Sequence, residues 1–445
     1  MTLDLLSVAT DVVKLALKAG ATSADALAVS ARDQDVSVRH GVIEQFEQSE
    51  SQDVGLRVFV GQSSALISGS VLTPEGLQRL VERAIAMAKL APPDPHAGLA
   101  AAEQLARDLP WLDLVSTDEF TSAELQSLAQ RAEDAALAIK GVSKSSGASA
   151  GAARRTVAMA ASNGFAQTYQ RSSFGLSASV VSGEGTGMER DYDGHGAVHF
   201  ADVETPEKIG RTAGERAVAR LNPRKLHSQT APVIYDRRIA TSLIGHLATA
   251  INGSSIARGT SFLKADLGKQ IFASGVQVID DPLRVRSSGS RPFDGEGLPT
   301  QRRDLIDSGV LTGWVLDLRS ARQLGLSPTG NGARGLASPP SASTSNLHMA
   351  AGTRSVDEML KDMQRGFLVT EFIGSSINMV TGDYSRGASG FWIEDGAIAY
   401  PVSEVTVAGH LRDMFKSLEP ATDLEFRSSA NAPSCFMGGM TIAGR

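Results

Sequence analysis

By residue type, His246 is the side chain best suited to chemistry, and its neighbours set what that chemistry could be. A zinc peptidase helix of the H-E-x-x-H kind needs a second imidazole four residues away and a glutamate beside it to activate the bound water. The residue four before His246 is Ser242, and the one five before is Thr241. Neither hydroxyl is a good zinc ligand, and no carboxylate lies between them and the histidine. These residue types favour a histidine packed or hydrogen-bonded within a helix over a metal ligand.

Other reactive groups carry weaker signals. Cys435 is the sole cysteine, and its neighbours Ser434 and Phe436 supply no base, so a buried small hydrophobe is the favoured reading. Carboxylates come in close pairs at Asp280-Asp281, Asp294 with Glu296, and Glu394-Asp395. With Pro282, Gly295 and Gly396 beside them, they read as turn formers. Arg286 and Arg291 flank Ser287 to Ser290, which reads as a solvated turn rather than an anion loop because no G-x-x-x-x-G-K pattern is present. Gly382, Gly387 and Gly390 have the wrong spacing for a dinucleotide fingerprint.

The element that positions His246 is legible. Val233-Ile234-Tyr235 reads as a short strand, Asp236 as an N-cap, and Ile239, Leu243, Leu247 and Ile251 as one face of a helix. Asn252-Gly253 supplies a stop that suits a left-handed C-cap. Upstream, Leu3, Leu6, Val13 and Leu17 trace a helical face. Strand-length runs follow, and Thr73-Pro74-Glu75 opens a second helix with a threonine cap and proline at the first position. The order recurs. Thr121 with Glu124 makes a capping box, Asn163-Gly164 signals a hairpin, and Thr205-Pro206-Glu207 repeats the helix start.

We therefore expect an α+β protein with three units. These are an N-terminal α+β unit at 1–95, a second at 96–228 that duplicates its layout, and a β-rich unit at 229–445 resembling a sandwich or barrel. Ser182 to Gly196 reads as a surface loop or mobile edge. Ser327 to Asn346, rich in Ser, Pro and Gly, reads as a long functional or disordered loop.

Composition narrows the function classes. The 445 residues are 42% hydrophobic and 21% charged, with a net charge of −6, which does not suit general nucleic-acid binding. One cysteine permits no intrachain disulfide and fits a reducing compartment. No basic leader or membrane-length apolar run stands out, so a cytoplasmic protein is expected.

Several long stretches resemble the TldD/PmbA family, in its PmbA (TldE) branch. They run from Asp236 to Phe272, from Phe293 to Gly335, and from Gly438 to Gly444, and are densest in NMVTGDYSRGASGFWIEDGAIAYPVSEVTVAGHL from Asn378 to Leu411. The family is associated with zinc-dependent proteolysis of small or unfolded peptides. Its TldD branch carries H-E-x-x-x-H on the matching helix and a cysteine ligand near the C-terminus. Laid on this chain, that motif falls on Thr241, Ser242 and His246, so the first histidine and the glutamate are missing. The family's cysteine should precede Cys435, and Thr422 to Asn431 holds none. The resemblance implies a metal-free subunit that contributes no catalytic residue and pairs with a zinc-bearing TldD-type subunit around a peptide substrate. It leaves open a homodimer without that partner, an independently active peptidase, and a protein-binding regulator of the gyrase-modulator kind.

Overall fold

The computed structural model describes residues 4–444. Leu3, assigned above to the first helical face, lies outside them.

In the first half, helix α1 (Leu5–Lys18) leads into strands β1 (Ser23–Arg39), β2 (Val42–Val60) and β3 (Ser63–Gly69) and helix α2 (Pro74–Leu90). Helix α3 (Ser122–Leu137), strands β4 (Val142–Ala161), β5 (Ala166–Ser182) and β6 (Glu189–Ala197) and helix α4 (Pro206–Ala219) repeat that order. The strands form one six-stranded sheet in the order β3-β2-β1-β4-β5-β6, so the two αβββα runs meet along the antiparallel β1–β4 pair. Alternation decides the faces. Ala24, Ala26 and Ala28 with Val54, Leu56 and Val58 lie under α1 and α2. Val36, Val38, Ala148, Ala150, Leu176 and Ala178 lie under α3 and α4. Both Thr-Pro-Glu starts are capped as read, Thr73 by the amide of Gly76 and Thr205 by that of Lys208. The polar run at Ser182 to Gly196 is in large part the edge strand β6, paired along β5 from Phe174 to Ser182. In α1 the buried face runs through Leu5, Val8, Val12 and Ala16, while Leu17 of the expected face is exposed.

The second half opens with β7 (Gln229–Tyr235), α5 (Arg237–Ala250) and α6 (Gly253–Ala257). Short elements follow: β8 (Val278–Asp280), β9 (Arg303–Asp307), β10 (Val310–Leu311), α7 (Leu318–Leu324), β11 (Gly332–Ala333), β12 (Ser341–Ala342), β13 (Leu347–Met349) and α8 (Val356–Met363). The long strands β14 (Gly366–Ile377), β15 (Asp383–Glu394) and β16 (Ala397–His410) come next. After them stand α9 (Leu411–Ser417), β17 (Glu419–Pro420), β18 (Ala430–Asn431) and β19 (Cys435–Ala443). Strands β16-β15-β14-β7-β19 close into a barrel because β19 also pairs with β16, from Thr406 opposite Ala443 to Ala408 opposite Thr441. A second sheet runs β10-β9-β8-β13-β18. Helix α5 packs between them, its Ala240, Leu243, Ile244 and Leu247 in the same core as Val233 and Tyr235 of the barrel and Val278 and Leu347 of the second sheet. The expected class, α+β with a barrel-like C-terminal half, is what the chain adopts. Asn252-Gly253 departs from the expected left-handed cap. Asn252 is extended and caps α6 through the amide of Ser254, and Gly253 leaves room for Ser320 and Leu316.

The halves are clasped by the 327–346 segment, which is ordered by buried contacts rather than left loose. Arg334, its side chain 1% exposed, reaches Asp25 of β1 at 2.6 Å. Asp25 is fully buried and also accepts from Arg57 Nε of β2 at 3.1 Å. The Leu336 carbonyl lies so close over Gly55 that a β-carbon there would collide with it. Asp294 and Glu296 sit beneath this clasp. They are buried, which their reading as turn formers did not include. Asp294 does cap a turn, accepting from the amides of Glu296 (2.8 Å) and Leu298 (2.9 Å), but it also accepts from Gly332 (2.8 Å) across the segment.

Candidate functional site

Helix α5 starts where β7 ends. Asp236 donates its amide to the Val369 carbonyl at 2.9 Å and caps the helix through the amide of Arg238, also at 2.9 Å. All three motif positions lie on α5. The Thr241 hydroxyl donates to the Arg238 carbonyl at 3.3 Å and the Ser242 hydroxyl to the Ile239 carbonyl at 2.6 Å, so both serve their own helix. His246 is half-buried with its ring edge-on to Tyr384, centroids 5.9 Å apart. Its Nε2 is buried without a hydrogen-bond partner. Burial, then the nearby Arg386 guanidinium, lowers its pKa to about 4, so the imidazole is neutral at pH 7. Tyr384 shares a 3.1 Å hydrogen bond with Tyr235, and burial pushes its phenol up to about 12.

Thr241 and Ser242 form one wall of a cavity of about 480 Å³. Edge strand β6 supplies Arg190, Asp191 and Tyr192, β14 supplies Thr370, Glu371 and Phe372, and β15 supplies Arg386. An adjoining cavity of about 400 Å³ shares Tyr192, Arg238, Thr241 and Ala430 and adds Arg216 and Arg427. The cleft thus lies where the first sheet, α5 and the barrel meet. Its charges are largely matched. Asp191 takes Arg238 at 2.9 Å and Arg220 at 3.5 Å, while Arg220 also pairs with Glu371. Asp193 takes Arg216 at 2.8 Å and Arg427 at 3.4 Å. Burial pushes the Asp191 carboxyl up, but the hydrogen bond and charge of Arg238 outweigh it and hold the group below the usual carboxylate range.

One wall is an unpaired strand edge. Strand β7 pairs with β14 only from Phe367 to Val369, and beyond that the chain turns into α5. The edge of β14 from Thr370 to Ile377 has no strand on that side among the described residues, and Ile373 is 61% exposed.

The donor set does not fit zinc. Two hydroxyls spent on their own helix and one imidazole cannot make a tetrahedral site, and among the described residues no three His, Cys, Asp or Glu converge. Cys435 stands at the start of β19, buried, 3.7 Å from the Met349 sulfur, and burial drives its thiol well above the usual range. The Arg286 to Arg291 segment is a held turn, since Ser287 and Gly289 both donate to Asn346 at 2.9 Å. Gly387 and Gly390 let β15 lie flush against the β14 backbone. Sequence reasoning brought Thr241, Ser242 and His246 to this helix correctly but did not find Asp191, Arg238 or Arg386. The first lies in a run that reads as a surface loop or mobile edge, and the arginines carry no local pattern.

Comparison with known proteins accounts for nearly the whole chain. Profiles of the PmbA/TldA metallopeptidase family match in three parts: domain 1 at residues 24–88, the central domain at 116–221 and the C-terminal domain at 228–444. The protein named metalloprotease PmbA of Escherichia coli O157:H7 is 39% identical over 412 residues, 92% of this chain and 90% of that one. A PmbA homolog of Haemophilus influenzae is 37% identical, covering 97% of this chain and 94% of its own. Among solved structures, a Bacteroides thetaiotaomicron protein named as a candidate modulator of DNA gyrase superposes with a TM-score of 0.91 at 27% identity, covering 99% of this chain and 98% of that one. With nearly its whole length matched in sequence and fold, the chain belongs to the PmbA/TldD family of metalloprotease-like proteins.

Proposed function

We propose that this chain is a metal-free, non-catalytic subunit of a TldD/PmbA-type peptidase complex, holding small or unfolded peptides for a zinc-bearing TldD-type partner. The observation that carries the reading is the residue set on α5. Where the family's metal helix needs histidine and glutamate, this chain has Thr241 and Ser242, each bonded to its own helix, and a neutral His246 turned to Tyr384. The open β14 edge beside that helix suits an extended peptide, which would gain main-chain hydrogen bonds by adding as a strand. Relatives named TldD homologs in Buchnera and Haemophilus supply the kind of partner the reading requires. The reading also places the chain in the cytoplasm, and among the described residues no helix is long and apolar enough to cross a membrane.

The test is metal analysis and peptide hydrolysis by the purified chain, with and without a TldD-type subunit. The expected result is no bound zinc and cleavage only with the partner. Stoichiometric zinc that disappears in His246→Ala would overturn it. The name metalloprotease given to the Escherichia coli relative supports a second reading, an independently active peptidase. Cleavage by the chain alone, persisting in the presence of a chelator, would establish that reading instead.

A further inference from the structure

Most charges of the cleft are paired, but not every arginine there has an acid. Asp191 and Glu371 are engaged by Arg238 and Arg220, while Arg386, on the same cavity wall, makes no ion pair among the described residues. In a chain of net charge −6, an arginine left without an acid in an open cleft is a site for an anion. Arg386 is also aimed. Its Nε donates to the Gly374 carbonyl at 3.1 Å, and its guanidinium lies 4.1 Å from the centre of the Phe372 ring. Gly374 has φ of +67°, within the irregular β14–β15 register between Ile373 and Ser376. That left-handed residue suits glycine, and the bulge turns its carbonyl toward Arg386. Nearby, the buried Nε2 of His246 is also unused.

Resting on the peptide-holding role proposed above, we propose that Arg386 binds a carboxylate of the peptide laid along the open edge of β14, fixing how far the peptide slides. The planar guanidinium, held by the Gly374 carbonyl, the Phe372 ring and a hydrogen bond to the Tyr384 hydroxyl, still has more N–H groups than these contacts use, and those can meet a carboxylate. The same chemistry is offered by a peptide C-terminus and by an Asp or Glu side chain.

Calorimetric titration of the full chain with three Ala/Ser octapeptides separates these sources: one with a free C-terminus, its C-terminal amide, and the amide carrying one internal Glu. The free-terminus or Glu peptide is expected to bind about 10- to 100-fold more tightly than the neutral amide, the usual worth of a charge-assisted hydrogen bond. Whichever of the two binds more tightly identifies the source. Arg386→Gln should erase the preference, and Arg386→Lys, which keeps the charge but loses the fork, should retain part of it. Equal binding of all three peptides overturns the inference, as does binding of none. So does an Arg386→Gln chain that melts like the parent and keeps the preference. Zinc content and partner-dependent cleavage judge the subunit role separately. A complex that passes those tests while Arg386→Gln keeps its preference sinks this inference alone.

Discussion

Two charged regions join the N-terminal sheet to the C-terminal half, and they are built differently. At the clasp, Asp25, Arg57 and Arg334 are stripped of water, the one carboxylate taking both arginines at close range, with Asp294 and Glu296 buried beside them and Arg334 Nε and Nη2 left without a partner. At the cleft, Arg238 is 21% exposed, the acids are shared among several arginines, and a cavity of about 480 Å³ remains. Dehydrated charges must find partners or they destabilise the fold. Partly hydrated ones can stay unpaired at little cost, and Arg386 does. The same residue types act as a joint in one place and as a receiving surface in the other, and access to water makes the difference.

The contrast fails first at Asp25. Asp25→Asn takes from the buried Arg57 and Arg334 the carboxylate that both contact directly, and a loss of about 3–5 kcal/mol is expected in urea unfolding. A loss below about 1 kcal/mol would mean that water reaches the clasp and that the two regions do not differ as described.

Glu296 gives the next largest effect. Burial, then the neighbouring Asp294 charge, raises its pKa from 4.5 to about 8. Between those values the folded state holds a proton that the unfolded chain has lost, so stability falls as pH rises through that window. Glu296→Gln should flatten this slope and exceed the parent by on the order of 2–4 kcal/mol at pH 9. Parallel pH–stability curves for the two proteins would count against a proton-loaded clasp.

In the cleft the penalties shrink. Asp191→Asn removes one acid from Arg238 and Arg220, but Arg220 keeps Glu371 and Glu189. A cost of about 1–3 kcal/mol is expected by denaturant titration. A larger loss than at Asp25 would reverse the ranking of the two regions.

His246→Leu should be the mildest, within about 1 kcal/mol at pH 7, because the imidazole is already neutral and its Nε2 unpartnered. The group's folded pKa, about 4, lies below its ordinary 6.5. Its contribution is therefore fully present above about pH 6.5 and lost as pH falls through about 4. The leucine variant should lose that part of the acid limb in a pH series of melting curves, and an unchanged acid limb would place the histidine in water.

Local signals in the sequence were read well where a few neighbouring residues suffice. The Asp236 cap, both Thr-Pro-Glu starts and the turn at Asn163-Gly164 all stand as expected. The doubled order of helix, strands and helix was visible, but not that both runs build one sheet, because β1–β4 pairing joins residues more than 100 positions apart. Asp294-Gly295-Glu296 has turn chemistry in any context, and only the segment folding over it made the turn a buried acid pair. Asn252-Gly253 was misread for a related reason. The helix α6 that follows it is five residues long, too short to show a period.

What the sequence determined by itself is the chemistry available on α5: Thr241 and Ser242 cannot become histidine and glutamate, however the chain folds. What the tertiary structure alone decided is the state and use of the charged groups. Arg334 and Asp25 are 309 residues apart, and Arg386 meets α5 only once the barrel closes. His246 is neutral because folding removes its water and brings a guanidinium near. Solvation and long-range proximity set those properties, and both arise only when distant segments pack.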